Sequence, residues 1–152
     1  MGSETPYAAL SAVFWAGLLT AARAGRERLD EPTSAVDLLA LGLAGAKIGS
    51  IVAEDRVTVF LRRPFADGPA AVQPAGAGLR RAVGELVTCQ HCVSLWAAGA
   101  LTVAQLARPR ETRLVTRVFA AYAVADAARA LLAQKQVIRG EIARNLREPG
   151  QK

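Results

Sequence analysis

Both cysteines of the chain and its single histidine fall inside "ELVTCQHCVSLW", Glu85 to Trp96. A Cys-x-x-Cys pair with a histidine between its thiols can bind a metal, exchange electrons as a dithiol, or simply pack as small residues where a helix enters an apolar layer. Helical geometry constrains the first option. At about 100° per residue, Cys89 and Cys92 share a face while His91 points about 200° away from Cys89. A site made of Cys89, His91 and Cys92 therefore needs an unwound turn at "TCQHC". It also needs a further ligand, from Glu85 or a second subunit, because structural zinc takes four. No second Cys-x-x-Cys supplies one. The order Cys-Gln-His-Cys is also not the Cys-x-x-Cys-His of covalent haem attachment.

The redox option rests on a different physical effect. A thiolate at a helix N-terminus meets unpaired backbone N–H groups and the positive end of the helix dipole, which lowers its pKa. The βαβ pattern that surrounds a thioredoxin-type pair is missing here. In the packing option Cys89 and Cys92 fill space, and Trp96 serves as an interfacial or packing anchor. All three readings stay open at the level of sequence, and no motif calls for a cofactor.

Other catalytic chemistry finds little support. The one histidine has no Gly-x-Ser-x-Gly turn or phosphate-binding loop to serve. The carboxylate pairs Asp30/Glu31 and Glu54/Asp55 are adjacent in sequence, so on a helix their members point apart. An enzyme is therefore not the expected class.

The elements that carry these residues are apolar and helical. The chain has 152 residues, enough for one domain with a real core. The chain is 52% apolar, much of that alanine, only 5% is aromatic, and mean hydropathy is +0.22. Such a composition favours helix over sheet. Four apolar segments stand out: Pro6–Ala22, Val36–Ala53, Leu86–Ala107 and Leu114–Ala133. A helix of about 20 residues crosses a bilayer core of roughly 30 Å. The first and third segments meet that length without a charge, and the other two carry a few. Pro6–Ala22 lacks the polar stripe of a water-exposed helix. Its start, "MGSETPY", also lacks the basic n-region of a cleaved leader. Within Val36–Ala53, Gly42 with Ala46 and Gly45 with Gly49 have the small-xxx-small spacing of close helix packing in lipid. The expectation is an all-α, small multi-pass membrane bundle of about four transmembrane helices, one helical domain over 1–152. Residues 54–85, with three prolines and several glycines, are expected to form a long irregular cytoplasmic loop. Arg108–Thr112 reads as a tight turn and 134–152 as a polar, helical-patterned tail.

Two charges sit deep in these segments. Lys47 and Asp126 occupy similar positions along the second and fourth segments, which would run parallel in a four-pass protein. An interhelical pair would spare each the cost of lying alone in lipid. The alternative is that Asp126 pairs with Arg129 on its own helix and Lys47 snorkels.

Charge distribution suggests an orientation and a partner. Lys and Arg are denser in 54–85 and beyond 134 (Arg56, Arg62, Arg63, Arg80, Arg81, Lys135, Arg139, Arg144, Arg147 and Lys152) than around Arg23–Arg28 and Arg108–Arg113. The positive-inside rule then puts both termini in the cytoplasm. The net charge of +6 and pI near 10.1 are better assigned to anionic headgroups than to nucleic acid. The basic residues lie in connecting segments without stacking aromatics. A second membrane protein, or a second copy of the chain, is the expected protein partner.

A resemblance supports the location. The order "AEDRVTVFLRRPF", a Gly/Pro-rich stretch, then "GLRRAVGELVTCQHCVSLWAAGAL" resembles the uncharacterised bacterial membrane proteins of domain of unknown function 1360. The residues that carry the likeness are Asp55, Arg56, Val57, Thr58, Arg63, Pro64, Phe65, Gly84, Glu85, Leu86, Cys89, Cys92 and Trp96. The family pattern tends to place Pro and an aromatic between the cysteines and Gly after them, where this chain has Gln90, His91 and Ser94. The resemblance implies a multi-pass protein of the bacterial inner membrane and no established activity.

Overall fold

The computed structural model describes residues 4–29 and 33–147. The readings made on "MGS", on Asp30, Glu31 and Pro32, and on the 148–152 end lie outside the described residues. Apart from one small hairpin the described chain is helical.

Helix α1 (Thr5–Ala24) has Pro6 in its first turn, where a missing N–H costs nothing. It closes on Gly25, whose N–H bonds Ala21 O at 2.8 Å. One turn follows, α2 (Arg26–Leu29). Helix α3 (Ala35–Glu54) starts at Ser34, whose Oγ accepts the Asp37 N–H at 3.1 Å. That is the capping arrangement expected of a serine three residues before an aspartate.

The 54–85 stretch is more ordered than expected. It contains a 3₁₀ turn η1 (Arg56–Thr58), a single turn α4 (Val59–Arg62), and strands β1 (Ala66–Asp67) and β2 (Gln73–Pro74). Most of helix α5 (Gly78–Thr88) also falls within it. The hairpin is antiparallel with Ala66 opposite Pro74 and Asp67 opposite Gln73. Its prolines and glycines shape turns within a folded unit. The expectation of an irregular loop is corrected accordingly.

The third apolar segment is not one helix either. α5 ends at Thr88, Cys89 is extended (φ −98°, ψ 106°), and α6 (Gln90–Ala107) leaves at 87° to α5. The expected five-residue turn at Arg108–Thr112 shrinks to Arg108 alone, because Pro109 opens α7 (Pro109–Arg147). The proline thus starts a helix instead of ending one. α7 is 39 residues long, about 58 Å at 1.5 Å per residue. The fourth apolar segment and most of the expected tail belong to this one helix.

Side-chain registers give the packing directions. Gly45 lies against Ala98 and Gly49 against Ser94, so α3 and α6 are antiparallel. Gly99 meets Phe14 while Gly25 meets Leu106, so α1 runs in the direction of α6. Asp37 and Ala40 share a crevice with Arg113 and Thr116, and Lys47 reaches Asp126, so α3 and α7 are parallel. The four long helices alternate in direction, and the start of α1 lies at the same end of the bundle as α5.

What is buried is small: Ala44, Gly45, Gly49, Ala53, Ala120, Thr112 and Thr116, with Leu101 the exception among the four long helices. Val13, Trp15, Leu19, Leu38 and Leu39 are exposed instead. This distribution, small residues between helices and large apolar ones outside, reverses that of a water-soluble bundle. Among the described residues two helices, α1 and α3, are long and apolar enough to cross a membrane, and the bent pair α5–α6 would make a third. Of the four apolar spans expected from sequence, two therefore have the length and apolarity of a crossing by themselves, and the third has them only as the pair bent at Cys89.

Candidate functional site

The break between α5 and α6 puts Cys89 at the N-cap of α6. Its Sγ accepts the Cys92 N–H at 3.4 Å and lies 2.6 Å from the Cys92 Sγ. Both are free cysteines and half-buried. The extended residue at Cys89 is what allows this, because it turns the side chain back over the first turn of α6. Cys89 precedes α6, and its thiol is held below the ordinary range. The cause is first the Cys92 thiol, which donates to the Cys89 sulfur, and then the backbone N–H of Cys92.

His91 is exposed. Among the described residues no three His, Cys, Asp or Glu side chains gather where they could hold a metal ion. The trio Cys89, His91 and Cys92 is therefore not brought together. The unwound turn that such a site required does exist, yet it pairs the two sulfurs and leaves the imidazole outside.

Beside the thiols lies an apolar cavity of about 290 Å³ between α1, α5 and α6. Cys92, Leu86, Phe14, Trp15, Trp96 and Tyr7 are among its walls. Phe14 and Trp96 have ring centroids 5.2 Å apart, which fastens α1 to α6. Near the cavity's Tyr7 wall, the Tyr7 hydroxyl donates to Glu85 Oε2, while Arg81 Nε donates to Glu85 Oε1 at 3.0 Å. These two donors, Tyr7 first, hold the Glu85 carboxyl below its usual range.

The second cluster lies between α3 and α7. Lys47 Nζ is bonded to Asp126 Oδ2 and stands 4.3 Å from the centroid of the Tyr122 ring. Arg129 Nη2 approaches Asp126 Oδ1 at 3.7 Å. Asp126 is thus shared between the interhelical and the same-helix partner. The Lys47 side chain is only 13% exposed, so its charge is met by a carboxylate on one side and an aromatic face on another.

The remaining signature residues meet in the folded 54–85 unit. The Phe65 carbonyl receives the Ala75 N–H at 2.9 Å, and Gly84 presses so closely on that carbonyl that a Cβ would collide with it. The Pro64 carbonyl accepts Arg80 Nε at 3.0 Å. Asp55 gives its carbonyl to Arg62 Nη2 at 3.1 Å, whereas Arg63 is exposed.

Arg62 is the residue that sequence reasoning missed. It is fully buried and also donates to Val52 O, Thr58 Oγ1 and Ala70 O, tying the end of α3 to the hairpin. Its Nε has no hydrogen-bond partner among the described residues. In sequence it is one of two adjacent arginines, and nothing in its type or spacing separates it from its exposed neighbour.

Comparison with known families matches residues 40–132, more than half the chain, to the family described as Protein of unknown function (DUF1360). The chain belongs to this family. The match takes in the thiol pair, the Arg62 unit and both Lys47 and Asp126, while the α1 wall of the cavity, with Tyr7, Phe14 and Trp15, lies outside it. No match was found among curated proteins or among solved structures.

Proposed function

We propose that this DUF1360 protein is an integral protein of a bacterial cytoplasmic membrane with a structural or partner-subunit role. The observation that carries the reading is α1. It runs for 20 residues with no buried residue, and it presents Val13, Trp15 and Leu19 outward. Such a surface requires lipid or another apolar helix to cover it. In this reading α1, α3, α6 and the first half of α7 cross the bilayer. α5 and the hairpin unit lie at the cytoplasmic face together with both chain ends. The Lys/Arg excess of those segments supports this orientation, and anionic headgroups are their counterpart. Residues 127–139 of α7, all exposed, offer a surface for a partner protein or a second copy.

The experiment is carbonate washing of membranes from cells expressing the chain at low level. It is combined with single-cysteine labelling at positions 67, 110 and 134 in a Cys89→Ala/Cys92→Ala background. Retention in the pellet is expected, with 67 and 134 labelled only from the cytoplasmic side and 110 only from the opposite side. Release into the soluble fraction would overturn the reading.

A second reading, a membrane thiol-redox protein, is favoured by one specific feature: the helix break that brings the sulfurs of Cys89 and Cys92 together at a helix N-terminus. Mild oxidation should convert the pair to an intramolecular disulfide with loss of two alkylatable thiols per chain. Thiols that stay alkylatable under those conditions would leave them as packing residues.

A further inference from the structure

We propose that the apolar cavity beside Cys92 is a binding site for a lipid-soluble quinone, and that the quinone is the electron acceptor for the Cys89/Cys92 pair. The proposal rests on the thiol-redox reading and adds its substrate. Four observations converge. The cavity, about 290 Å³, is near the lower end of sizes that enclose a small ring ligand. Phe14, Trp15 and Trp96 supply aromatic faces for a flat ring, and Cys92 forms part of the same wall. Trp15 and Leu95, both on the lining, are 62% and 58% exposed, so the cavity communicates with the apolar outer surface through which a lipid-soluble molecule would arrive. The Tyr7 hydroxyl proton is committed to Glu85, so the hydroxyl of Ser11, also on the lining, is the group that can donate to a ring carbonyl.

The chemistry balances within this set. The Cys92 sulfur adds to a ring carbon, forming a C–S bond as an electron pair moves to one carbonyl oxygen, which takes the Cys92 proton. The Cys89 sulfur then attacks Cys92 Sγ. The S–S bond forms, the C–S bond breaks, and its electron pair passes through the ring to the second oxygen, which takes the Cys89 proton. Two thiols become one disulfide, and the quinone becomes a quinol. The two sulfurs already face each other at the start of α6, which favours the second step.

The test uses the full chain, reduced and then freed of reductant in detergent micelles without oxygen. A ring-substituted quinone with a ten-carbon tail is added, and quinol absorbance is followed together with thiol count by mass. One quinol per chain with loss of both thiols is the expected result, and it should be abolished in Cys89→Ser and in Cys92→Ser. Ser11→Trp, which fills the cavity, should slow the reaction by about tenfold or more. Gly17→Leu, on the part of α1 with open space around it, should not change it. A parallel sample receives a water-soluble diazene oxidant. Disulfide formation with the diazene but no quinol with the quinone would overturn the quinone proposal and leave the thiol-redox reading standing. No disulfide with either oxidant would overturn both. An unaltered rate in Ser11→Trp, or a stable quinone adduct in place of the disulfide, would overturn the cavity as the site.

Discussion

Lys47 of α3 and Asp126 of α7 are bonded across the bundle, although 79 positions separate them in sequence. Each alone would be a charge within an apolar segment, and the pair fixes the register between two parallel helices. Lys47→Met and Asp126→Asn are each expected to lower the thermal midpoint of the detergent-solubilised protein by several degrees. Asp126→Asn should cost more, because it leaves Lys47 with only the Tyr122 face and a neutral amide, whereas in Lys47→Met Arg129 still reaches Asp126. The double substitution should recover part of the summed loss. Strictly additive losses would show that the pair makes no energetic coupling.

The glycines of α3 make a sharper contrast. A Cβ on Gly49 would fall 2.8 Å from Ser94 N and 2.9 Å from Gln90 O, both backbone atoms that cannot step aside. A Cβ on Gly42 meets nothing within 4 Å. Gly49→Ala should therefore destabilise by about 1–3 kcal/mol through overpacking against α6. Gly42→Ala should be neutral or stabilising by up to about 1 kcal/mol from helix propensity. Denaturation of the two variants in the same detergent separates them, and equal effects would contradict the α3–α6 register.

This contrast also marks how far the sequence could be read. Small-residue spacing pointed to Gly42 with Ala46 and to Gly45 with Gly49, but only the second pair faces α6, since spacing gives a face and not which of two faces is covered. The depth of Lys47 and Asp126 could be read because apolar segments set the position of a charge along a helix. The bend at Cys89 could not, since no proline and no Lys, Arg, Asp or Glu interrupts Leu86 to Ala107 and a single extended residue leaves no periodic trace. The order of the 54–85 unit was hidden for another reason. Its turns are rich in Pro and Gly, as a structureless loop would be, and the carbonyls that Arg62 satisfies become neighbours only after folding.

Arg62 ties those carbonyls together, and its loss should be among the most damaging single changes in the chain. Arg62→Met strands the Ala70 carbonyl and leaves the Val52 and Asp55 carbonyls to Thr58 alone, at about 1–3 kcal/mol for each buried group left unbonded. Lysine keeps the charge but lacks the planar fork that reaches several acceptors at once, so Arg62→Lys should rescue little. Neighbouring Arg63 is exposed, and Arg63→Met should shift stability by less than about 0.5 kcal/mol. Limited proteolysis between 54 and 78 would report the change, with faster cleavage in both Arg62 variants and wild-type resistance in Arg63→Met.

The N-cap position of Cys89 has a consequence for its reactivity. A lowered thiol pKa means that thiolate persists at pH values where an ordinary cysteine, with a pKa near about 8.5, is protonated. In Cys92→Ala the thiol that donates to Cys89 is gone while the backbone N–H at position 92 remains. The pH midpoint for iodoacetamide alkylation of Cys89 should therefore rise towards the ordinary value without fully reaching it. Cys92→Ser keeps a donor at the same place and should leave the midpoint closer to that of the native pair. Alkylation rates measured between pH 5 and 10, with the site of modification read by peptide mass, give the midpoints. If Cys89 titrates alike in the alanine and serine variants, the Cys92 side chain has no part in stabilising its thiolate, and the helix N-terminus alone sets its reactivity.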